Sequence, residues 1–340
     1  MSAKVESVPI VIAAVFAASC AMASSAWSRY LDAPREYSSF CRIVFSEGER
    51  YSFSEFDVEV YSQGNGPNTW QRIMMAVPKG LKGRAPCVVV PFYFPEAMLG
   101  FNPADGSLES EFVSAKTNLS YYAEISYMSD LARRGYITIS ADAYYLTYRD
   151  HERPWWSYLP GFEDNAWQRV GEALLEDWPQ WTGIGKLVFD TRLLVDFAVA
   201  DPRVDRSRIG MIGHSLGGKM AFYAGMTDPR VKVVVASDFG IGWTQTNWGD
   251  CWYWGDKLDE VRARGMSNVD LLSMSGGKPF CLIAGKYDDA DSGLLVSSAK
   301  GYEQHPERLL FIHHGKGHRP PPDATARGYE FLDKHLRGKN

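Results

Sequence analysis

The fold of this 340-residue chain is decided by residues 209–219, which read Ile209-Gly210-Met211-Ile212-Gly213-His214-Ser215-Leu216-Gly217-Gly218-Lys219. A short apolar run leads into a Gly-x-Ser-x-Gly turn, and a helical pattern opens at Gly217. Strand, tight turn and helix in this order hold a serine on a sharp elbow, with its hydroxyl clear of the backbone. The turn motif alone is a weak indication, because chance yields about 0.2 matches in a chain of this length and composition. Its context makes Ser215 a candidate nucleophile.

Similar apolar runs recur along the chain after residue 85. They are Cys87–Val90, Tyr136–Ser140, Ile209–Ile212, Val231–Ala236, Phe280–Ala284 and Leu309–Ile312. Continuous runs of this length are typical of strands covered on both faces, as in a parallel sheet. Helical patterns lie between them, at Gly185–Ala200, Gly217–Gly225 and Ala324–Leu336. This alternation predicts an α/β fold with a mostly parallel, doubly wound sheet.

Two regions depart from the alternation. Residues 40–80 alternate apolar and polar side chains, which predicts antiparallel strands ahead of the parallel sheet. Residues 144–181 carry many Trp and Tyr among charges and prolines. We interpret them as an insertion beside the carboxyl ends of the strands, where open α/β sheets bind ligands. No repeat or linker divides the remainder, so residues 24–340 are expected to form a single domain.

The first 23 residues have the features of an export signal. Lys4 supplies a weak positive charge, Val8–Ala18 form an apolar run too short to span a bilayer comfortably, and Ala21-Met22-Ala23 fits a cleavage site. A buried N-terminal helix is the alternative interpretation, and lipidation at Cys20 is a less favoured one. The signal predicts a secreted or periplasmic protein.

Charge and cysteine usage argue against several classes of function. The net charge of -5 provides no basic face for nucleic acid, and no membrane span is predicted. The cysteines that follow the predicted signal lack the spacing of a metal site; they are Cys41, Cys87, Cys251 and Cys281. Cys87 and Cys281 lie inside predicted strands, and we expect them to be buried thiols.

A nucleophilic serine needs a base and an orienting carboxylate, which follow it in the order Ser, Asp or Glu, His in this kind of fold. His318 is the candidate base, because flanking glycines let its side chain swing over a site after the last predicted strand. His314, at the end of that strand, is the alternative. Asp288 is the candidate carboxylate, because Gly285-Lys286-Tyr287-Asp288 leaves the end of a strand. Asp289 is the alternative to it.

Two backbone N–H groups are predicted to form an oxyanion hole. The Leu216 N–H opens a helix, where donors without intrahelical partners and the macrodipole favour negative charge. The second donor should come from the loop after Cys87–Val90, and the Tyr93 N–H is the candidate. One such donor contributes about 3–4 kcal/mol to the transition state. Together these groups predict hydrolysis of an ester through an acyl-enzyme, with no cofactor required.

Several segments around Ser215 resemble those of the acetyl xylan esterase and dienelactone-hydrolase-like families. They are Asp201-Pro202-Arg203-Val204-Asp205-Arg206-Ser207-Arg208-Ile209-Gly210, Gly213-His214-Ser215-Leu216-Gly217-Gly218-Lys219, Trp181-Thr182-Gly183-Ile184-Gly185-Lys186, Asn247-Trp248 and Trp252-Tyr253-Trp254-Gly255. The turn is also similar to that of the glucuronoyl esterases, which carry Arg where this chain has Leu216. The resemblance covers roughly residues 80–338 and implies an α/β-hydrolase fold and a serine esterase.

For the substrate, the resemblance implies a carbohydrate ester, most simply an acetyl or similar acyl ester of a plant-type polysaccharide. A methyl or glucuronoyl ester of a uronic-acid sugar is the alternative, which a basic residue near Ser215 would favour; the candidates are Arg149, Arg153, Lys219 and Arg319. Aromatic side chains stack on sugar rings, and Trp248 is the candidate for a substrate contact. A noncatalytic carbohydrate-binding protein is a third interpretation, against which the presence of Ser215, His318 and Asp288 argues.

Overall fold

A computed structural model describes residues 26–38, 49–67, 69–101, 103, 125–149 and 166–338. The predicted export signal, with Cys20, lies outside the described residues, as does Cys41. None of the described helices is both long and apolar enough to cross a membrane. Cys87 and Cys281 are buried free thiols, as predicted, and Cys251 is a partly exposed one.

The described residues form one sheet of nine strands in the order β1-β2-β3-β5-β4-β6-β7-β8-β9. The strands are β1 Arg50–Ser52, β2 Phe56–Gly66, β3 Thr69–Pro78, β4 Ala85–Val89, β5 Ile137–Ala141, β6 Val204–His214, β7 Val231–Ser237, β8 Phe280–Ala284 and β9 Leu309–His313. Strands β1, β2 and β3 pair antiparallel, as does β3 with β5. From β5 through β4 to β9 all pairs are parallel. Both the antiparallel start and the parallel remainder are confirmed.

Helices connect the strands. In the described residues they are α1 Ser28–Leu31, α2 Arg35–Ser38, α3 Pro95–Leu99, α4 Tyr127–Arg133, α5 Ala166–Asp177, α6 Gly183–Ala200, α7 Leu216–Thr227, α8 Lys257–Ala263, α9 Asn268–Met274, α10 Ser292–Ser297 and α11 Pro322–Arg337, with short 3₁₀ turns at Tyr144–Leu146 and Pro306–Arg308. The three helices predicted from sequence correspond to α6, α7 and α11.

The sheet is covered on both faces at β6. Successive residues of a strand point to opposite faces. Gly210 of β6 lies against Leu336 of α11, whereas Met211 lies beside Gly225 of α7. Helices α7 and α11 therefore pack on opposite faces of the sheet, and the inner strands β4 and β8 are buried at every position.

The described part of the predicted insertion contributes to the core. Tyr145 and Trp167 stack with ring centroids 3.5 Å apart, and Tyr144, Tyr148 and Trp181 are likewise buried. These rings bury apolar area in the packed interior, as aromatic side chains usually do. Residues 150–165 of the predicted insertion lie outside the described residues.

Candidate active site

Ser215 stands between the end of β6 and the start of α7 with φ 53° and ψ -114°. A positive φ is sparsely populated for a residue with a side chain, and it persists only where the surroundings enforce it. The Ser215 N–H is held by the carbonyl of Ser237 at 2.8 Å. This geometry is the strand–turn–helix elbow that the sequence predicts.

The elbow needs glycine on both sides of the serine. A Cβ on Gly213 would stand 2.0 Å from the Gly217 carbonyl oxygen, and a Cβ on Gly217 would stand 2.0 Å from the Pro91 carbonyl oxygen. Both distances are far below van der Waals contact, and both neighbours are backbone. The second contact also places the loop after β4 directly beside the turn.

His318 lies in the loop after β9, next to the Ser215 turn. Its ring centroid is 4.4 Å from that of His214, the residue before Ser215, and the Tyr287 ring packs edge-on to it with centroids 4.8 Å apart. The side chain is 15% exposed. His314, the alternative base, uses its Nδ1 to accept the Lys316 N–H at 3.1 Å within its own loop.

The carboxylate that meets His318 belongs to Asp238, immediately after β7. Asp238 Oδ2 lies 2.5 Å from His318 Nδ1, while Oδ1 accepts four backbone N–H groups of residues 285–288 at 2.8–3.2 Å. Burial opposes ionisation, but the bonds from His318 and from these N–H groups outweigh it and lower the pKa of Asp238. Asp238 is thus an ionised carboxylate held against an imidazole.

The prediction that Asp288 orients the histidine is therefore wrong. Asp288 is fully buried and turns toward the neighbouring loop, where it accepts the N–H groups of Phe239, Gly240 and Ile241 at 2.7–2.9 Å. Burial raises the pKa of Asp288 to about 6. Asp289, the alternative, is exposed and accepts the Ser292 N–H at 3.1 Å.

The position of Asp238 in the sequence could have marked it as a second candidate for the carboxylate that orients His318. Ser237-Asp238 follows the apolar run of β7 directly, just as Asp288 follows β8 after a short turn. Both strands end at the same edge of the sheet, so both aspartates reach the site. The spacing along the chain does not reveal which carboxylate faces the imidazole.

The two candidate oxyanion donors lie on adjacent elements. Leu216 is the first residue of α7, whose leading N–H groups have no intrahelical acceptor. Tyr93 lies in the loop after β4, beside the elbow, and its carbonyl accepts the Ala143 N–H at 3.0 Å. Their roles toward an oxyanion remain predictions.

Trp248 is not placed to contact a substrate, contrary to the prediction. Its side chain is fully buried, and Nε1 donates to the carbonyls of Gly240 at 2.8 Å and Gly242 at 3.2 Å. It instead fixes the start of the loop that follows Asp238. Trp243 and Trp252, in the same loop, are only partly buried.

Lys219 is a buried cation four residues after Ser215 on α7. Its ammonium lies 4.7 Å from the ring centroids of both Trp248 and Tyr253 and 3.4 Å from Thr246 Oγ1. Burial lowers the pKa of Lys219 to about 7, against the attraction of nearby aspartates.

The other basic candidates differ in their surroundings. Arg149 is engaged by Glu176 and Asp177 at the surface, and Arg153 lies outside the described residues. Within the described ranges, no group of three or more His, Cys, Asp or Glu side chains could hold a metal ion.

Comparisons with known proteins agree with this fold. The model of the dienelactone hydrolase family matches residues 119–242, a segment that contains both Ser215 and Asp238. No curated protein matches the sequence.

Three solved structures illustrate the likeness. A glucuronoyl esterase from Solibacter usitatus has 11% identity and a TM-score of 0.64, over 90% of this chain and 88% of that one. A glucuronoyl esterase from Teredinibacter turnerae has 14% identity and a TM-score of 0.62, over 91% and 82%. A candidate acetyl xylan esterase from Bacteroides fragilis has 14% identity and a TM-score of 0.60, over 88% and 78%. The chain thus has the α/β-hydrolase fold, and the predicted resemblance to these groups is confirmed.

Proposed function

We propose that this protein is a carboxylic ester hydrolase that cleaves an ester of a carbohydrate with Ser215, His318 and Asp238. The observation that carries the proposal is the hydrogen bond between His318 Nδ1 and Asp238 Oδ2 beside the strained Ser215 elbow. Serine, histidine and aspartate in these roles are the machinery of acyl transfer. The dienelactone hydrolase match and the esterases among the structural neighbours support the same reaction.

The proposed reaction has two stages, the acylation of Ser215 and its deacylation. His318 Nε2 takes the Ser215 proton as Oγ attacks the ester carbonyl, and Asp238 stabilises the imidazolium. The N–H groups of Leu216 and Tyr93 receive the oxyanion. The tetrahedral intermediate then expels the alcohol, which takes the proton from His318 and leaves an acyl group on Ser215. Water, deprotonated by His318, attacks that acyl group and releases the acid.

For the substrate we propose an acetyl or similar acyl ester of a plant-type polysaccharide, and as a second candidate a methyl or glucuronoyl ester of a uronic-acid sugar. The second candidate is favoured by the glucuronoyl esterases named above. Export through residues 1–23 remains a prediction, as does the single domain over residues 24–340.

The test is hydrolysis of p-nitrophenyl acetate, acetylated xylan and a methyl glucuronate ester by the wild type and by Ser215→Ala. We expect the substitution to lower kcat by roughly 10⁴-fold or more. Of acetylated xylan and the methyl glucuronate ester, the one that resembles the natural substrate should show the larger kcat/KM. A wild type as inert as Ser215→Ala on all three esters, with binding of xylan retained, would establish a noncatalytic carbohydrate-binding protein instead.

A further inference from the structure

Two aspartates lock the loops after β7 and β8 onto each other. Asp238 accepts the backbone N–H groups of residues 285–288, and Asp288 accepts those of residues 239–241. Each carboxylate therefore holds the backbone segment that carries, or adjoins, the other. We call this arrangement the reciprocal clamp.

The segment that Asp288 holds begins immediately after Asp238. Asp238 has φ 44°, in the left-handed region, and Gly240 has φ 79°. A non-glycine residue keeps such a conformation only where neighbouring contacts enforce it. Three N–H bonds to a single carboxylate provide that enforcement at the residues next to Asp238.

The carbonyl side of the same segment is fixed by other side chains. Trp248 Nε1 donates to the carbonyls of Gly240 and Gly242, and Asn268 Nδ2 donates to the Ile241 carbonyl at 3.0 Å. Only Asp288 holds the N–H groups of Phe239, Gly240 and Ile241 in the described contacts. Removal of the Asp288 carboxylate therefore releases the N–H groups of residues 239–241, while the carbonyl groups keep their bonds to Trp248 and Asn268.

We propose that Asp288 is a positioning residue, which holds residues 239–241 so that the Asp238 carboxylate meets His318. This inference rests on the proposed function. Asp288 acts through the backbone and not on the imidazole, because both of its oxygens are already occupied by N–H donors. A buried carboxylate is tolerated only when its oxygens are satisfied in this way.

The hydrogen bonds of the clamp predict that asparagine cannot replace Asp288. Oδ2 accepts two N–H groups, and Oδ1 accepts the third. An amide presents one oxygen and one NH₂, so in either orientation at least one backbone N–H faces another donor. Asp288→Asn thus disrupts the clamp with almost no change in volume.

The experiment combines kinetics with proton NMR on the full chain. The variants are Asp288→Asn, Asp238→Asn and their double mutant, with exposed Asp291→Asn as the matched control. Asp288→Ser is a second disruption of the clamp, for use if Asp288→Asn fails to fold. The NMR readout is the low-field resonance of the His318 Nδ1 proton, which reports the bond to Asp238 without requiring turnover.

For Asp288→Asn or Asp288→Ser we expect kcat for p-nitrophenyl acetate to fall about 10–100-fold, the range expected for a small misplacement of catalytic groups, with a smaller change in KM. The low-field resonance should persist but broaden through exchange with solvent. The Asp238→Asn variant should lack the resonance. In that variant the further substitution Asp288→Asn should lower kcat by less than about twofold, because the Asp238 carboxylate that Asp288 positions is already absent. Asp291→Asn should match the wild type.

Three results would overturn the proposal. The first is a kcat of Asp288→Asn that equals that of Asp291→Asn, and the second is an equal fold-loss of kcat from Asp288→Asn in the wild type and in Asp238→Asn. The third is a low-field resonance that is lost in Asp288→Asn and kept in Asp238→Asn. If no variant and no wild type hydrolyses any ester, the proposed function fails. The resonance then still decides whether Asp288 positions the Asp238–His318 pair.

Discussion

At the scale of single residues, the two aspartates differ in the groups that surround their carboxylates: Asp238 meets His318, and Asp288 meets three backbone N–H groups. Asp238 and Asp288 each follow a buried strand at the same edge of the sheet. The sequence analysis favours Asp288, with Asp289 as the alternative, and does not single out Asp238. The carboxylate that faces His318 is decided by a contact between segments about 80 residues apart in the chain, namely the bond between His318 and Asp238. Local sequence patterns do not reveal such a contact.

Asp238→Asn tests the assignment of the orienting carboxylate. We expect kcat to fall about 10⁴-fold with little change in KM, because the amide no longer holds the productive tautomer of His318 or stabilises its imidazolium. The assay is steady-state hydrolysis of p-nitrophenyl acetate. Asp289→Asn, in the exposed turn, is the comparison; a loss of kcat there as large as in Asp238→Asn would contradict the assignment.

Lys219→Met tests how much the burial of the Lys219 ammonium lowers the free energy of unfolding. Because burial lowers the folded-state pKa of Lys219 to about 7, the folded chain loses this proton above about pH 7 while the unfolded chain keeps it until about pH 10. The contribution of Lys219 to the free energy of unfolding therefore rises with pH over that range. The advantage of methionine in free energy of unfolding should be largest at or below pH 7 and shrink by about 1.4 kcal/mol per pH unit above it.

Urea unfolding of both proteins at pH 6, 7.5 and 9 provides the measurement for Lys219→Met. Exposed Lys300→Met serves as the control, and its difference from wild type should not vary with pH. A difference for Lys219→Met that is constant across this range would show that Lys219 keeps an ordinary pKa.

At the scale of elements, the apolar runs predict β4, β5 and β8 well, because strands buried on both faces must be apolar throughout. The short helices α3, α4, α8, α9 and α10 are not predicted. Helices of five to seven residues are not stable alone, so their formation depends on packing against the rest of the domain. The loop after Asp238 illustrates the same limit, because the sequence predicts that Trp248 contacts a substrate, whereas packing buries its side chain.

Gly217→Ala tests the contact between the elbow and the loop after β4. The added Cβ would stand 2.0 Å from the Pro91 carbonyl oxygen, so this loop and its candidate oxyanion donor must move. We expect kcat to fall by about 10²-fold or more and stability to drop by about 1–3 kcal/mol. Gly249→Ala is the matched control, since its Cβ meets only Leu258 Cδ2 at 3.8 Å; an equal effect of both substitutions would contradict the account.

At the scale of the whole molecule, an N-terminal segment that sequence patterns leave unassigned is part of the core. Trp27, just before α1, is 1% exposed and packs edge-on to Trp254 with centroids 6.0 Å apart. Thr182, the N-cap of α6, donates to the Tyr30 carbonyl at 2.7 Å. The segment thus joins α6 to the loop after Asp238. Its four-residue helix gives too short a pattern to be recognised from sequence.

Trp27→Ala tests this contribution to the fold. A large-to-small substitution of a buried tryptophan should lower the free energy of unfolding by about 3–5 kcal/mol. Trp70→Ala, at a side chain 37% exposed, should cost much less. Urea unfolding followed by circular dichroism gives both values; equal losses would indicate that the N-terminal segment is not part of the cooperative core.

In the proposed reaction Ser215 carries the acyl group, and trapping of this intermediate shows which residue is acylated. Rapid mixing of the wild type with p-nitrophenyl acetate, acid quenching and peptide mass spectrometry measure both the burst of nitrophenol and the site of acetylation. We predict acetyl on the peptide at Ser215, at up to one equivalent, with neither burst nor label in Ser215→Ala. Turnover of the ester with the label on another residue, or an undiminished burst in Ser215→Ala, would contradict the account.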